Sequence, residues 1–485
     1  MAKFGVTYYP YQWQWFVKDF VAGVTLLTIL IPQSMAYSVL AGLPPVIGLY
    51  SSLAVLPFAV FASNSTCTVG PFTVTQILMR TLRPVYLASF IGGIMQLIIA
   101  PFSGFIGVWL LPKTYMSGFT SGCAFLIAAA QIDDFFGISL VKPDQFTVVL
   151  KLIDIFRKIQ YTHLPTFAIG AVSLILIYVL KKLNVFLKTK PKFSKVWIPD
   201  IFVVCLLATL LSYFLDFQKL GVKIVGHIPK GFPEIVAPWN YDDVVDINWA
   251  SLIIATLPVA IVSSSITLSV LTQYNTPETV IPQDMFLAGL SSMIISFFQG
   301  FLATGSLTRS ALQKEVGAMT QISNIVLCIL LILVLISIAP LFEPVPMASL
   351  AAIVMLAAKS LLRQLVTIGW PLFLEAKKHY FRTTEDIELQ EDSISIPVSP
   401  DIENEVQSSD DSDSLMISGS GRLASTSFFI SEFEQNPYIQ LLYFWVPCFG
   451  IFFFNVQVTL AFSVCMIVLW KAIYASIIWK TSHGS

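Results

Sequence analysis

Arg309 is the only charged residue between Asp284 and Lys314, and its neighbours are apolar or carry hydroxyls. An arginine at membrane depth is costly unless it faces a cavity or a partner, so it is functional by default. It lies in Thr304-Gly305-Ser306-Leu307-Thr308-Arg309-Ser310, a short segment that opens on hydroxyls. A second short segment opens on Thr68-Val69-Gly70-Pro71-Phe72-Thr73, with a proline where a first helical turn tolerates one. A helix N-terminus exposes unpaired N–H groups and partial positive charge. Two such ends meeting at the bilayer midplane make an anion site without full charges. Acid–base or metal chemistry has no comparable support. Of the four histidines, His163, His227, His379 and His483, none sits near the middle of an apolar run, and no CxxC occurs. A membrane-embedded enzyme such as an acyltransferase needs a general base that the spans do not offer. No cofactor is expected. The competing assignment for Arg309 is a loop arginine snorkelling to the cytoplasmic surface.

The elements that position these residues follow from composition. The 485 residues are 56% apolar and 12% charged, about half the charge of a soluble domain. That excludes a water-soluble enzyme and a nucleic-acid binder and leaves a polytopic membrane protein. Residues 20–79 carry no charge at all, too long a run for one span of about 20 residues. With its prolines as breaks it divides into Phe20–Leu43, Pro45–Ala62 and the short Val69–Met79. Val85–Leu111, Met116–Ile132, Leu164–Leu180 and Val196–Leu215 complete seven segments. The second half repeats the count with Ala250–Leu271, Met285–Ala303, the short Gly305–Ala311, Ile322–Leu341, Val345–Leu362, Ile439–Phe454 and Val456–Trp470. In both halves the third segment is short and rich in Gly, Pro, Ser and Thr. Paired short segments in corresponding places indicate an inverted-repeat transporter with a midplane site; tight turns between spans are the plainer alternative. The expected fold is therefore an all-α polytopic membrane protein of 14 transmembrane segments in a 7+7 arrangement, with half-helices at segments 3 and 10.

Lys181, Lys182, Lys188, Lys190, Lys192 and Lys195 form the densest basic cluster, and the positive-inside rule places it in the cytoplasm with both termini. The expected layout is a cytoplasmic N-terminus (1–19), a first repeat (20–215), a linker (216–249), segments 8–12 (250–381), a cytoplasmic loop (382–435), segments 13–14 (436–480) and a tail (481–485). Residues 385–413 hold eleven acidic residues and no basic one, so the loop is expected to be disordered, as a passive linker or a phosphorylatable regulatory segment. The remainder then holds 28 basic and 18 acidic residues, a basic body suited to anions. Asn64-Ser65-Thr66 is a glycosylation sequon by pattern, expected to be unmodified where it lies. The six cysteines are scattered singly and are read as small core residues.

Several runs resemble the sulfate permease (SulP) family of anion transporters. They are Ile31-Pro32-Gln33-Ser34-Met35-Ala36-Tyr37, Ala41-Gly42-Leu43-Pro44-Pro45, Gly48-Leu49-Tyr50-Ser51-Ser52, Val69-Gly70-Pro71-Phe72 and the linker Ile224–Gly231. Phe297-Phe298-Gln299-Gly300, Ser306–Ser310, Pro340–Pro344 and Ala351–Val354 follow in the family's order. The resemblance implies core and gate domains, an elevator-type mechanism, a homodimer, and exchange of anions such as sulfate, chloride, bicarbonate or oxalate. It implies that Gln33 and Tyr37, four apart and so on one helical face, line the site. In the plainer assignment, Tyr37 is interfacial packing and Gln33 satisfies backbone freed by Pro32. The resemblance also implies that Phe72 and Thr73 present one amide end, after Gly70 and Pro71, and that Ser306, Leu307, Thr308 and Arg309 present the other.

Two departures bear on mechanism. Where proton-coupled members carry a glutamate on the eighth span, this sequence has Ser264 within Ser263-Ser264-Ser265. Electroneutral exchange or uncoupled conduction is then favoured over proton symport, and a nucleobase carrier, which needs a carboxylate there, is disfavoured. The family also continues into a cytoplasmic STAS domain absent before Ser485, so the chain is expected to be a fragment or a member that has lost it. An uncoupled channel or voltage-responsive relative is the alternative function. The plasma membrane is the default location.

Overall fold

A computed structural model describes residues 12–79, 82, 84–103, 113–138, 148–189, 198–229, 231–240, 248–274, 279–378 and 436–453, with isolated positions between 459 and 471. The acidic loop, seven of the fifteen residues of segment 14, both chain ends and the lysines from 190 to 195 lie outside the described residues. What is described is almost wholly helical.

The first span, α1 (Trp13–Leu40), begins seven residues before Phe20 and carries Asp19, which is buried. The second does not run unbroken from Pro45 to Ala62. It forms α2 (Pro45–Ser52) and α3 (Val55–Phe61) around a turn at Leu53–Ala54. Pro57 favours the break, since its ring crowds the carbonyl four residues back and it lacks a helical N–H, and it falls in the first turn of α3, where a proline is tolerated. Next come β1 (Val69–Gly70), α4 (Thr73–Met79), α5 (Val85–Ile99) and α6 (Lys113–Phe136). An 11-residue helix, α7 (Val148–Lys158), lies where the sequence analysis placed only a connection. The sixth span, α8 (Leu164–Thr189), runs well past Leu180, so Lys181 and Lys182 sit on its last turns rather than in a loop. α9 (Asp200–Leu215) ends the first half.

The second half holds α10 (Trp249–Gln273), α11 (Ile281–Ser296), β2 (Thr304–Gly305), α12 (Leu307–Val316), α13 (Ile322–Ser337), α14 (Met347–Gln364) and α15 (Pro437–Phe453). Six of the described helices are long and apolar enough to cross a membrane, and four stretches of shorter apolar helix accompany them. α14 continues through a π-helical turn at Leu365–Gly369 as far as Lys378.

Packing sorts the helices into three groups. α5, α10 and α11 pack together, as do α1, α2 and α13; α6 packs on α14, α15 and α8. α5 and α11 touch backbone to backbone: a Cβ on Gly93 would stand 2.8 Å from the Met293 nitrogen. Small residues permit such approach where lipid supplies no hydrophobic drive for helix association. The linker adds a short extended contact, with Val225 N donating to Val345 O at 2.9 Å and Met347 N to Lys223 O at 2.9 Å.

Candidate anion-binding site

The two short segments meet. β1 and β2 pair antiparallel, Val69 opposite Gly305 and Gly70 opposite Thr304. Flanking bonds lengthen the join, with Ser306 N donating to Thr68 O at 3.0 Å and Thr68 N to Ser310 Oγ at 3.0 Å. This two-residue ladder departs from an all-α expectation, and it starts both half-helices from one point. α4 begins at Thr73, four residues later than Val69, because Val69–Gly70 is spent in the strand. α12 begins at Leu307, with Ser306 as N-cap accepting from Arg309 N at 3.4 Å.

Arg309 is the largest fully buried side chain described, 1% exposed. Its Nη1 donates to Pro71 O, the carbonyl that leads into α4, at 3.0 Å. Its Nε and Nη2 have no protein partner. Burying guanidinium donors unpaired is costly, so the arrangement favours an acceptor from outside the chain. Gly70 leaves room for the group: at φ +153°, a Cβ there would lie 3.1 Å from Nη2. No described carboxylate forms a salt bridge with Arg309. The snorkelling alternative is thereby set aside by burial.

Of the other expected residues, Tyr37 is buried and its hydroxyl meets the buried Thr73 side chain. Gln33 is buried one turn below Tyr37, and its Oε1 has no partner. Phe72 is buried, and its carbonyl accepts from Gln76 N at 3.1 Å, opening α4. Leu307 is half-buried, while Thr308 is exposed, 3.3 Å from the Ser306 hydroxyl. Ser264 is buried with an unpartnered hydroxyl. The face of α10 that touches β2 belongs instead to its neighbours: Ser263 Oγ lies 2.7 Å from Thr304 Oγ1, and Thr267 Oγ1 accepts from Gly305 N at 2.9 Å.

Sequence reasoning missed the polar scaffold. Gln96 of α5 donates to Ser263 Oγ at 2.6 Å and accepts from Ser292 of α11 at 2.9 Å; Ser292 Oγ in turn accepts from Ala303 N. This hydroxyl chain fixes β2. Asp284 fixes the approach to β1, accepting from Ser63 N (2.7 Å), Ser63 Oγ (2.9 Å) and Asn64 N (3.0 Å). Asp19 does the same after α12, accepting from Met319 N (2.7 Å), Thr320 N (3.1 Å) and Thr320 Oγ1 (2.6 Å). Gln76 of α4 is buried with both amide atoms unpartnered, one turn beyond Thr73. The sequon residue Asn64 is buried too, its amide donating to Tyr274 O at 2.8 Å. Glutamines and asparagines inside apolar spans were the available signal, since such groups bond between helices in a bilayer.

The model of the "Sulfate permease family" matches residues 16–375. The chain belongs to the sulfate permease family. It is 30% identical over 371 residues to sulfate transporter 4.1, chloroplastic, of Arabidopsis thaliana, covering 72% of this chain and 52% of that protein. It is 27% identical to Danio rerio prestin, over 73% of this chain and 52% of the relative, and 27% identical to human pendrin, over 73% and 50%. It thus spans about half the length of the curated relatives it matches. In fold it resembles the murine Solute Carrier 26 family member A9 anion transporter in the inward-facing state, with TM-score 0.72 and 19% identity over 96% of this chain and 69% of that one. The transmembrane domain of the cyanobacterial bicarbonate transporter BicA gives TM-score 0.61 and 18% identity over 73% and 90%. The sulfate permease family is one of membrane anion transporters, and this chain is a multi-pass integral membrane protein.

Proposed function

We propose that this chain is a secondary active exchanger of inorganic anions, sulfate first among them, with chloride, bicarbonate and oxalate as competing substrates. The observation that carries the reading is Arg309: a buried guanidinium with two unpaired nitrogens, between the starts of α4 and α12. An anion entering there exchanges its water for Arg309 Nε and Nη2 and for the amide ends of the half-helices. Tyr37, Gln33, Phe72, Thr73, Thr308 and Ser264 complete its surroundings. With serine at position 264 no titratable group stands beside the anion from α10, which favours anion-for-anion exchange over proton symport. The homology names carry the substrate class: relatives are a sulfate transporter, prestin and pendrin.

The wider reading is a 7+7 inverted repeat in which the half-helices belong to a core that shifts against a gate. The close packing of α5, α10 and α11 with one another, and of α6 with α14 and α15, supports that division. Cytoplasmic termini, a homodimer and residence in the plasma membrane belong to the same proposal. Labelled sulfate uptake into proteoliposomes tests it. Uptake stimulated by chloride, oxalate or bicarbonate inside, against an impermeant anion, is the expected result. Uptake that ignores the internal anion and follows an imposed voltage would replace exchange by a channel.

A further inference from the structure

α7 lies outside the transport machinery, and its residue pattern is unlike that of any span. Its polar residues Asp154, Arg157 and Lys158 fall on one side and most of its apolar residues on the other. At about 1.5 Å per residue it is roughly 16 Å long, too short to cross a bilayer. It also sits at the end of the bundle. α6 finishes at Phe136, whose carbonyl accepts from His163 N at 3.0 Å beside the start of α8. Ile155 of α7 packs against Ile132 and Phe136 at that end of α6, so α7 lies level with it.

Its apolar side has two parts with different fates. Ile155 is 7% exposed and packs with Ile138, Ile132, Phe136 and Leu152. Between a quarter and a half turn round the helix from Ile155, Phe156 and Ile153 face away from the protein, Phe156 at 76% exposure. The strip continues through exposed Ile159 and Tyr161 to Leu164, where the outward-facing flank of α8 takes over with Val172 and Ile175. That flank belongs to a membrane-spanning helix, so the strip on α7 is continuous with a lipid-facing surface. Arg157 is exposed at its edge, and Lys158 stands 3.4 Å from Asp154. A short helix with an apolar strip, a basic edge and a tyrosine beyond is built for the boundary between acyl chains and headgroups.

We propose that α7 is an interfacial helix, on the membrane face opposite the lysines that end α8, that seats Ile153 and Phe156 among acyl chains and keeps Arg157 at headgroup depth. The occupant is the bilayer itself, and the continuity of the apolar strip with the outward flank of α8 carries the seating.

Site-directed spin labelling of the full chain in vesicles tests this, on a Cys465→Ser background because Cys465 is the exposed cysteine. Labels at Phe156→Cys and, separately, Ile153→Cys are expected to collide several-fold more with oxygen than with a water-soluble nickel chelate. The ratio is expected to reverse at Arg157→Cys. Nickel-rich collisions at both 153 and 156 would overturn the seating. These positions are exposed, so elution as the unlabelled protein checks that folding is intact.

Discussion

α4 and α12 are built alike in backbone and unlike in charge. Each follows a two-residue strand, each starts at the shared ladder, and each approach or exit is held by a buried aspartate: Asp284 for the loop before β1, Asp19 for the loop after α12. Yet α4 has no charged residue and enters through Pro71, whereas α12 is capped by Ser306, bears Arg309 and ends at Gly317 with φ +84°. The guanidinium of one side reaches the lead-in carbonyl of the other. The difference teaches that the geometry of the site is made twice and its charge once. α4 supplies shape, and α12 supplies both the cation and the tie between the halves.

That asymmetry can be broken at several points. Asp284→Ala is expected to have the largest effect on the α4 side, leaving two buried backbone N–H groups unpaired at about 1–3 kcal/mol each. A fall in the thermal midpoint well beyond that of an exposed control such as Glu375→Ala, together with lost uptake, would bear this out. Gly70→Ala places a methyl against Arg309 Nη2 in a backbone region that disfavours side chains. It is expected to raise the apparent KM for sulfate roughly tenfold, the equivalent of about 1.4 kcal/mol of binding, with less change in the thermal midpoint than Asp284→Ala. A KM that stays put would show that the guanidinium tolerates displacement. Gln96→Leu removes the amide that joins Ser263 to Ser292 and leaves those hydroxyls to re-pair. The expected cost is about 1 kcal/mol of stability, with uptake slowed and Gln96→Asn restoring part of it. Thr308→Phe, at the exposed edge, is expected to raise KM a few-fold and leave stability unchanged; an unaltered KM would place the path of the anion elsewhere.

The spans were legible in the sequence because a bilayer leaves one solution, a long apolar helix, and 60 uncharged residues read directly as that. Arg309 was legible because a charge in such a run stands out. The half-helix starts were legible to within a few residues, misplaced by the strand pairing, which joins residues more than 230 apart and leaves no local periodicity. The break at Leu53–Ala54 was foreshadowed by Pro57. α7 was passed over because a short amphipathic helix has neither the length nor the uniform apolarity of a span. Ser263 and Thr267 were missed although Ser264 between them was chosen. Only the helix rotation, 100° per residue, decides which of three adjacent serines faces β2. Gln96 and Asp284 act through loops and strands far away in sequence, so no spacing rule could find them.

The claim on which the rest depends is that Arg309 and the two half-helix starts hold the transported anion. Labelled sulfate uptake into chloride-loaded proteoliposomes, comparing the native chain with Arg309→Glu at equal reconstituted amounts, tests it most directly. The account predicts that uptake falls to the level of empty vesicles while the variant elutes and reconstitutes as the native protein does. Chloride-dependent uptake at the native rate in Arg309→Glu would contradict it.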